Sequence, residues 1–160
     1  MNRDEFIQAK LFMFSDIDRE IELARADGDA LQAGGVRLGG GNFLAALGLL
    51  CYTEFGGKLQ FDVRRPNGTD AATDNFNKFF DSIGTDYQTL RQHHNVYDIF
   101  RCGLAHEYYV KKSCTIAMIG GGPGPGIGID SSGRYFFVVE SYCRDLKKAF
   151  DNLQVVLYGQ

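Results

Sequence analysis

Residues 43–55, Phe43-Leu44-Ala45-Ala46-Leu47-Gly48-Leu49-Leu50-Cys51-Tyr52-Thr53-Glu54-Phe55, decide the fold. Phe43, Leu47, Leu50 and Glu54 recur at helical spacing, with Leu44 and Cys51 beside them. Asn42 is a suitable N-cap, and Gly56-Gly57 supplies a stop. The unbroken apolar run, Phe43 to Tyr52, is about half of what a membrane span requires. A helix this apolar on nearly every side belongs at the centre of a helical bundle.

The flanking sequence supplies the other members. From about Asp4 to Ala26, Ile7, Leu11, Phe14, Ile17, Ile21 and Ala24 fall on one helical face, and Asn2 with Glu5 forms a capping pair. Asp27-Gly28-Asp29 breaks that pattern, and a short helix is expected over 30–37. Arg64-Arg65-Pro66-Asn67-Gly68 reads as a turn. A helix capped by Thr73 or Asp74 then carries Phe76, Phe79, Phe80 and Ile83 as far as Gly84. Thr85 or Asp86 opens a long helix expected to run to about Tyr109.

The character changes after Lys111-Lys112. Residues 115–119 and 134–139 read as strands of a small antiparallel hairpin, with Gly120-Gly121-Gly122-Pro123-Gly124-Pro125-Gly126-Ile127-Gly128 as a flexible connector. That run lacks the lysine and hydroxyl of a phosphate loop and leads into a strand, so no helix N-terminus is expected beside it. A final helix spans 140–157. The expected fold is therefore mainly α: one domain over 1–160, with a helical bundle in 1–110 and a hairpin plus terminal helix in 111–160.

Composition narrows the function. Seventeen basic against twenty acidic residues give a net charge of −3, which excludes a broadly cationic nucleic-acid coat but leaves room for a local basic site. The N-terminus lacks a signal-peptide layout, and the four cysteines form no Cys-x-x-Cys pair. Reduced thiols in a cytoplasmic protein are expected, with no membrane span, no metal site and no cofactor.

The chemistry-bearing residues gather late in the bundle. Leu90, His94, Tyr97, Arg101, Leu104 and Tyr108 share one helical stripe. An arginine on a buried stripe needs a partner or an anion, because it cannot shed its charge. Asp98, three residues earlier, is one candidate partner; an acid on another helix and an oligomer interface are the others. Arg91, Arg101, Lys111 and Lys112 lie near His93, His94 and His106, the only histidines of the chain, and suggest a basic pocket.

Within this segment, Tyr97-Asp98-Ile99-Phe100-Arg101-Cys102-Gly103-Leu104-Ala105-His106-Glu107-Tyr108 resembles the HEPN superfamily, whose signature is an arginine followed after four to six residues by a histidine. The form Arg-x4-His-x-Tyr is similar to HEPN toxins paired with minimal nucleotidyltransferase antitoxins. The resemblance implies a metal-independent endoribonuclease, with toxin or phage-defence roles. His106 would be general acid or base and Arg101 the group holding the scissile phosphate. It also implies a homodimer built through the motif helix, RNA as substrate, and Tyr108 as the residue an antitoxin modifies with AMP. His94 and Tyr108 are candidate substrate contacts. Cys102 follows the arginine where active members usually carry Asn, Asp or His, and the Gly/Pro run lies outside the family pattern. The alternative is a non-catalytic helical domain that binds a nucleotide or a protein, with Arg101 structural. Five residues along an α-helix turn by roughly 140°, so Arg101 and His106 do not share a face. Loosening at Gly103, the reach of the arginine, or pairing of two protomers would each bring them together.

Overall fold

The computed structural model describes residues 1–37, 39–107, 110–120 and 122–159. They form α1 (Arg3–Arg25), α2 (Gly28–Ala33), α3 (Asn42–Phe61), α4 (Ala72–Ile83), α5 (Thr85–His93), a π-helix (Tyr97–Glu107), β1 (Cys114–Ala117), β2 (Ile127–Ile129), β3 (Tyr135–Val138) and α6 (Val139–Tyr158). The protein is mainly helical, with a small sheet before the C-terminal helix, as the sequence pattern requires. No helix among the described residues is long and apolar enough to cross a membrane.

The capping pair at the start of α1 is reciprocal. The Glu5 N–H donates to Asn2 Oδ1 and the Asn2 N–H to Glu5 Oε2, each at 2.9 Å. The buried stripe of α1 is Phe6, Phe14, Ile17 and Ile21, while Leu11 is 56% exposed. The face is rotated from the expected one because Phe6 and Phe14 both pack on the Phe150 ring of α6. The short helix α2 starts two residues early, capped by Asp27, whose side chain accepts from the Asp29 N–H.

The helix α3 does not stop at Gly56-Gly57. It continues to Phe61 and ends at Asp62 in the left-handed region (φ 41°). The glycines serve packing: a Cβ on Gly57 would collide with the Asn75 backbone, and one on Gly56 with the Phe79 ring. The pair lets α4 lie directly against α3. At the other end Gly41, not Asn42, is the N-cap, and Asn42 Nδ2 instead donates to Ile116 O (2.7 Å), tying α3 to β1. Ala45, Ala46, Leu49 and Leu50 are buried, whereas Phe43 and Leu44 at the entry are exposed. Ala71, rather than Thr73 or Asp74, precedes α4.

The long helix expected from 85 to 109 is two elements. It breaks at His94, which is extended (φ −140°, ψ 141°) because its Nδ1 is held by Tyr135 Oη of β3 at 2.9 Å. The chain then resumes as the π-helix.

The sheet has the order β1-β3-β2. The strands expected to pair as a hairpin, β1 and β3, run parallel, with Cys114 opposite Tyr135 and Ala117 opposite Val138. The antiparallel hairpin is β2–β3, with Ile127 opposite Phe137. The glycine run is long enough to carry the chain back so that part of it becomes an edge strand. It is also pinned: Gly126 N–H donates to Tyr87 Oη (2.8 Å), Arg144 Nη2 donates to Gly124 O (3.1 Å), and Gly126 lies against the Tyr142 backbone where no Cβ fits. Of the expected flexible tip, Gly126, Ile127 and Gly128 are buried, with Gly126 against Tyr87 and the first turn of α6, while Gly122, Pro123 and Gly124 are exposed.

α6 completes the core with Tyr142, Leu146, Phe150 and Leu153, all buried. Inside it, Thr53 Oγ1 and Tyr142 Oη stand 2.7 Å apart.

Candidate functional site

Arg101 leaves the π-helix toward α3. Its Nε stands 2.9 Å from Glu54 Oε2, and the two side chains are only 21% and 25% exposed. Glu54 also accepts from Tyr97 Oη (3.3 Å), and the Tyr97 ring lies 5.8 Å from the guanidinium carbon. The partner demanded by a buried arginine is therefore an acid on another helix. Asp98, the local candidate, is bonded instead to Lys111 Nζ (2.7 Å). Partial burial is the largest single influence and works against the Arg101 charge, but the Glu54 carboxylate together with Cys51, Tyr97 and Cys102 outweighs it and moves the guanidinium pKa up. Burial likewise pushes the neighbouring Cys51 thiol up, with Arg101 pulling the other way.

A cavity of about 240 Å³ opens beside this pair, bounded by Cys51, Glu54, Phe55 and Lys58 of α3, Asp70, Ala72, Asn75 and Arg101. Lys58 pairs with Asp70 across it. Arg101 Nε is buried without a properly aimed hydrogen bond, although Glu54 is at contact distance. None of the Arg101 N–H groups makes a hydrogen bond to a described residue, so part of its donor capacity is free for a ligand.

The π-helix changes the geometry of the motif. Its backbone bonds run from residue i to i+5. Positions five apart are then successive turns of one face, as positions four apart are in an α-helix. Arg101 and His106 occupy such positions, so the loosening expected at Gly103 extends over the whole motif. Lys111 N–H closes back on Ile99 O (3.2 Å) and secures the end of the widened segment.

The side chains themselves do not meet. His106 is exposed, has no hydrogen bond to a described residue, and does not border the Arg101 cavity. His94 is committed to Tyr135, edge-on to its ring. Tyr108 lies outside the described residues. The expected basic pocket is largely neutralised: Arg91 pairs with Asp81, Arg101 with Glu54, and Lys111 with Asp98, while Lys112 sits over the Tyr135 ring. Glu54 is the site residue that motif reading passed over. Its signal was available, as the one charged side chain in the otherwise apolar stretch 43–55. The four cysteines are free thiols. Among the described residues, no three His, Cys, Asp or Glu side chains gather as a metal site.

The arrangement is a helical protein with an anchored arginine and an exposed imidazole on one face of a widened helix. No family model matches the chain, and no curated protein and no solved structure matches it either.

Proposed function

We propose that this chain is an HEPN-like, metal-independent endoribonuclease of the cytoplasm, acting through Arg101 and His106. The observation that carries the reading is the π-helical register, which sets the two motif positions one turn apart on one face. π-helical backbone is rare, and where it occurs, mostly as single-turn bulges, it is frequent at functional sites. The anchoring of Arg101 by Glu54 supports it further, because a guanidinium held at Nε still offers its Nη donors to a phosphate.

In the proposed reaction the RNA 2′-oxygen attacks the adjacent phosphorus and gives its proton to an imidazole. The bond from phosphorus to O5′ breaks, and O5′ takes a proton from imidazolium. The products are a 2′,3′-cyclic phosphate and a 5′-hydroxyl end, with Arg101 offsetting charge on the phosphoryl oxygens. A homodimer joined through the motif helix supplies two imidazoles, one for each proton transfer. A nucleotidyltransferase antitoxin is the partner this reading suggests.

A second reading follows from the same ion pair: Arg101 locks the π-helix to α3, and the domain only binds. One experiment separates them. RNA is incubated with the protein in excess chelator, comparing wild type with His106→Ala. His106 is exposed, so the variant folds. Cleavage by wild type that falls at least about a hundredfold in the variant supports the nuclease. Absence of cleavage by both, with Arg101→Ala merely destabilising, supports the structural role.

A further inference from the structure

Two buried side-chain polar atoms lack a hydrogen-bond partner among the described residues, Arg101 Nε and Asp70 Oδ1. Both residues border the same cavity, the one of about 240 Å³ beside α3. Unpartnered buried groups are few in a folded protein, and two at one cavity mark where a ligand completes the bonding. Further capacity lies beside them. Glu54 uses Oε2 for both Arg101 and Tyr97, which leaves Oε1 without a hydrogen bond to a described residue. Asp70 gives Oδ2 to Lys58, while its Oδ1 stands 3.5 Å from Arg64 Nη1 without a hydrogen bond. Asn75, also at the wall, is committed to Val63 through both ends of its amide.

Charge and size narrow the ligand. Glu54 and Asp70 balance Lys58 and Arg101, and each cation already lies beside a carboxylate, so the cavity selects a neutral ligand over an anion. The volume is below the roughly 300–1,000 Å³ of drug-sized sites, which suits one ring system with its substituents outside. Cys51, Phe55 and Ala72 give an apolar wall for a flat ring. Glu54 and Lys58 are one turn apart on α3, about 6 Å along its axis, and Lys58 draws Asp70 to its own level. The open acceptors, Glu54 Oε1 and Asp70 Oδ1, are thus spread along an edge, with the Arg101 donors beside them. Among the RNA bases, guanine alone matches that inventory: two neighbouring donors, N1–H and the N2 amino group, next to the acceptor O6.

We propose that this cavity receives a guanine base. Arg101 donates through Nη to O6, Glu54 Oε1 accepts from N1–H, Asp70 Oδ1 accepts from the N2 amino group, and the ring lies along Phe55. Arg101 keeps Nη donors for the phosphate of the same nucleotide. The binding stands without the nuclease reading; its consequence, cleavage of RNA next to guanosine, rests on that reading.

The test is calorimetric titration of the full chain with guanosine, inosine and adenosine, uncharged probes that take the phosphate out of the measurement. Wild type binds guanosine at least about tenfold tighter than adenosine, and at least about tenfold tighter than inosine, which lacks only the N2 amino group. Asp70→Asn, at a partly exposed position, brings guanosine and inosine within about twofold of each other, and Glu54→Gln weakens both at least about tenfold. The inosine comparison in wild type needs no variant and keeps the test open if a substitution disturbs the fold. No binding of guanosine at millimolar concentration, equal affinity for guanosine and adenosine, or a preference over inosine that survives in folded Asp70→Asn overturns the site. RNA cleaved in chelator by a protein that does not bind guanosine overturns this inference and leaves the nuclease; guanosine bound with RNA left intact does the reverse.

Discussion

Arg101 and Glu54 join the π-helix to α3 through one partly buried ion pair, Nε to Oε2 at 2.9 Å. Because both side chains are about a quarter exposed or less, breaking the pair costs more than a surface bridge and less than a fully buried one. Glu54→Leu and Arg101→Met should each lower stability by about 1–3 kcal/mol. The double change Glu54→Leu with Arg101→Met should cost less than the two single losses added together, since neither charge is then stranded. Urea unfolding of the four proteins measures this; strictly additive losses would mean that the pair is not coupled.

The two glycine types in α3 should respond oppositely to alanine. Gly57→Ala drives a Cβ into the Asn75 backbone and should destabilise by several kcal/mol, on the order of an overpacked core. Gly48→Ala meets its nearest neighbour, Ile17 Cδ1, at 3.6 Å, an ordinary contact. It should stabilise by about 0.5–1 kcal/mol through helix propensity. Thermal unfolding separates the two, and a Gly57→Ala protein as stable as wild type would remove the close α3–α4 approach from the account.

These glycines also mark how far the sequence was readable. Local rules found the α1 cap from Asn2 and Glu5, the apolar centre of α3, the turn at Gly68 and the extent of α6. They misread Gly56-Gly57 as a terminator because the reason for those glycines is α4, which is remote in sequence. They carried one helix through His94 because Tyr135, which holds it extended, lies 41 residues away. The β1–β3 parallel pairing is equally non-local, since the pattern of each strand gives no direction for its neighbour. At the site, Arg101 and the need for a partner were legible. Glu54 as that partner, and the π-helical register, depend on how α3 and the motif helix pack.

The Thr53–Tyr142 bond has a direction. Thr53 Oγ1 donates to Leu49 O (2.9 Å), so Tyr142 Oη donates to Thr53. Thr53→Val strands a fully buried phenol and should cost about 1–3 kcal/mol. Tyr142→Phe removes the donor but leaves Thr53 bonded to Leu49, and should cost about 1 kcal/mol or less. Denaturant midpoints giving the reverse order would refute the assigned direction.

Burial pushes the Cys143 thiol up to about 12, with Lys147 opposing and Asp18 adding to the shift, and desolvation alone raises Cys114 to about 12. Raised thiol values favour the protonated folded form. Their contribution is intact below the unfolded value near 9 and is lost as pH climbs from there toward 12. At pH 8, Cys143 should resist iodoacetamide in the native protein and react in urea. Mass mapping of the alkylated peptides checks this, and equal labelling in both states would contradict the buried placement.

The nuclease reading is tested most directly by the ends it leaves on RNA. In chelator, wild-type protein should yield fragments ending in 2′,3′-cyclic phosphate with 5′-hydroxyl partners, and should leave intact a strand whose cleavage site carries a single 2′-deoxy substitution. Fragments with 5′-phosphate ends, cleavage of the deoxy-substituted strand, or intact RNA throughout would contradict a reaction driven by the 2′-oxygen with Arg101 and His106.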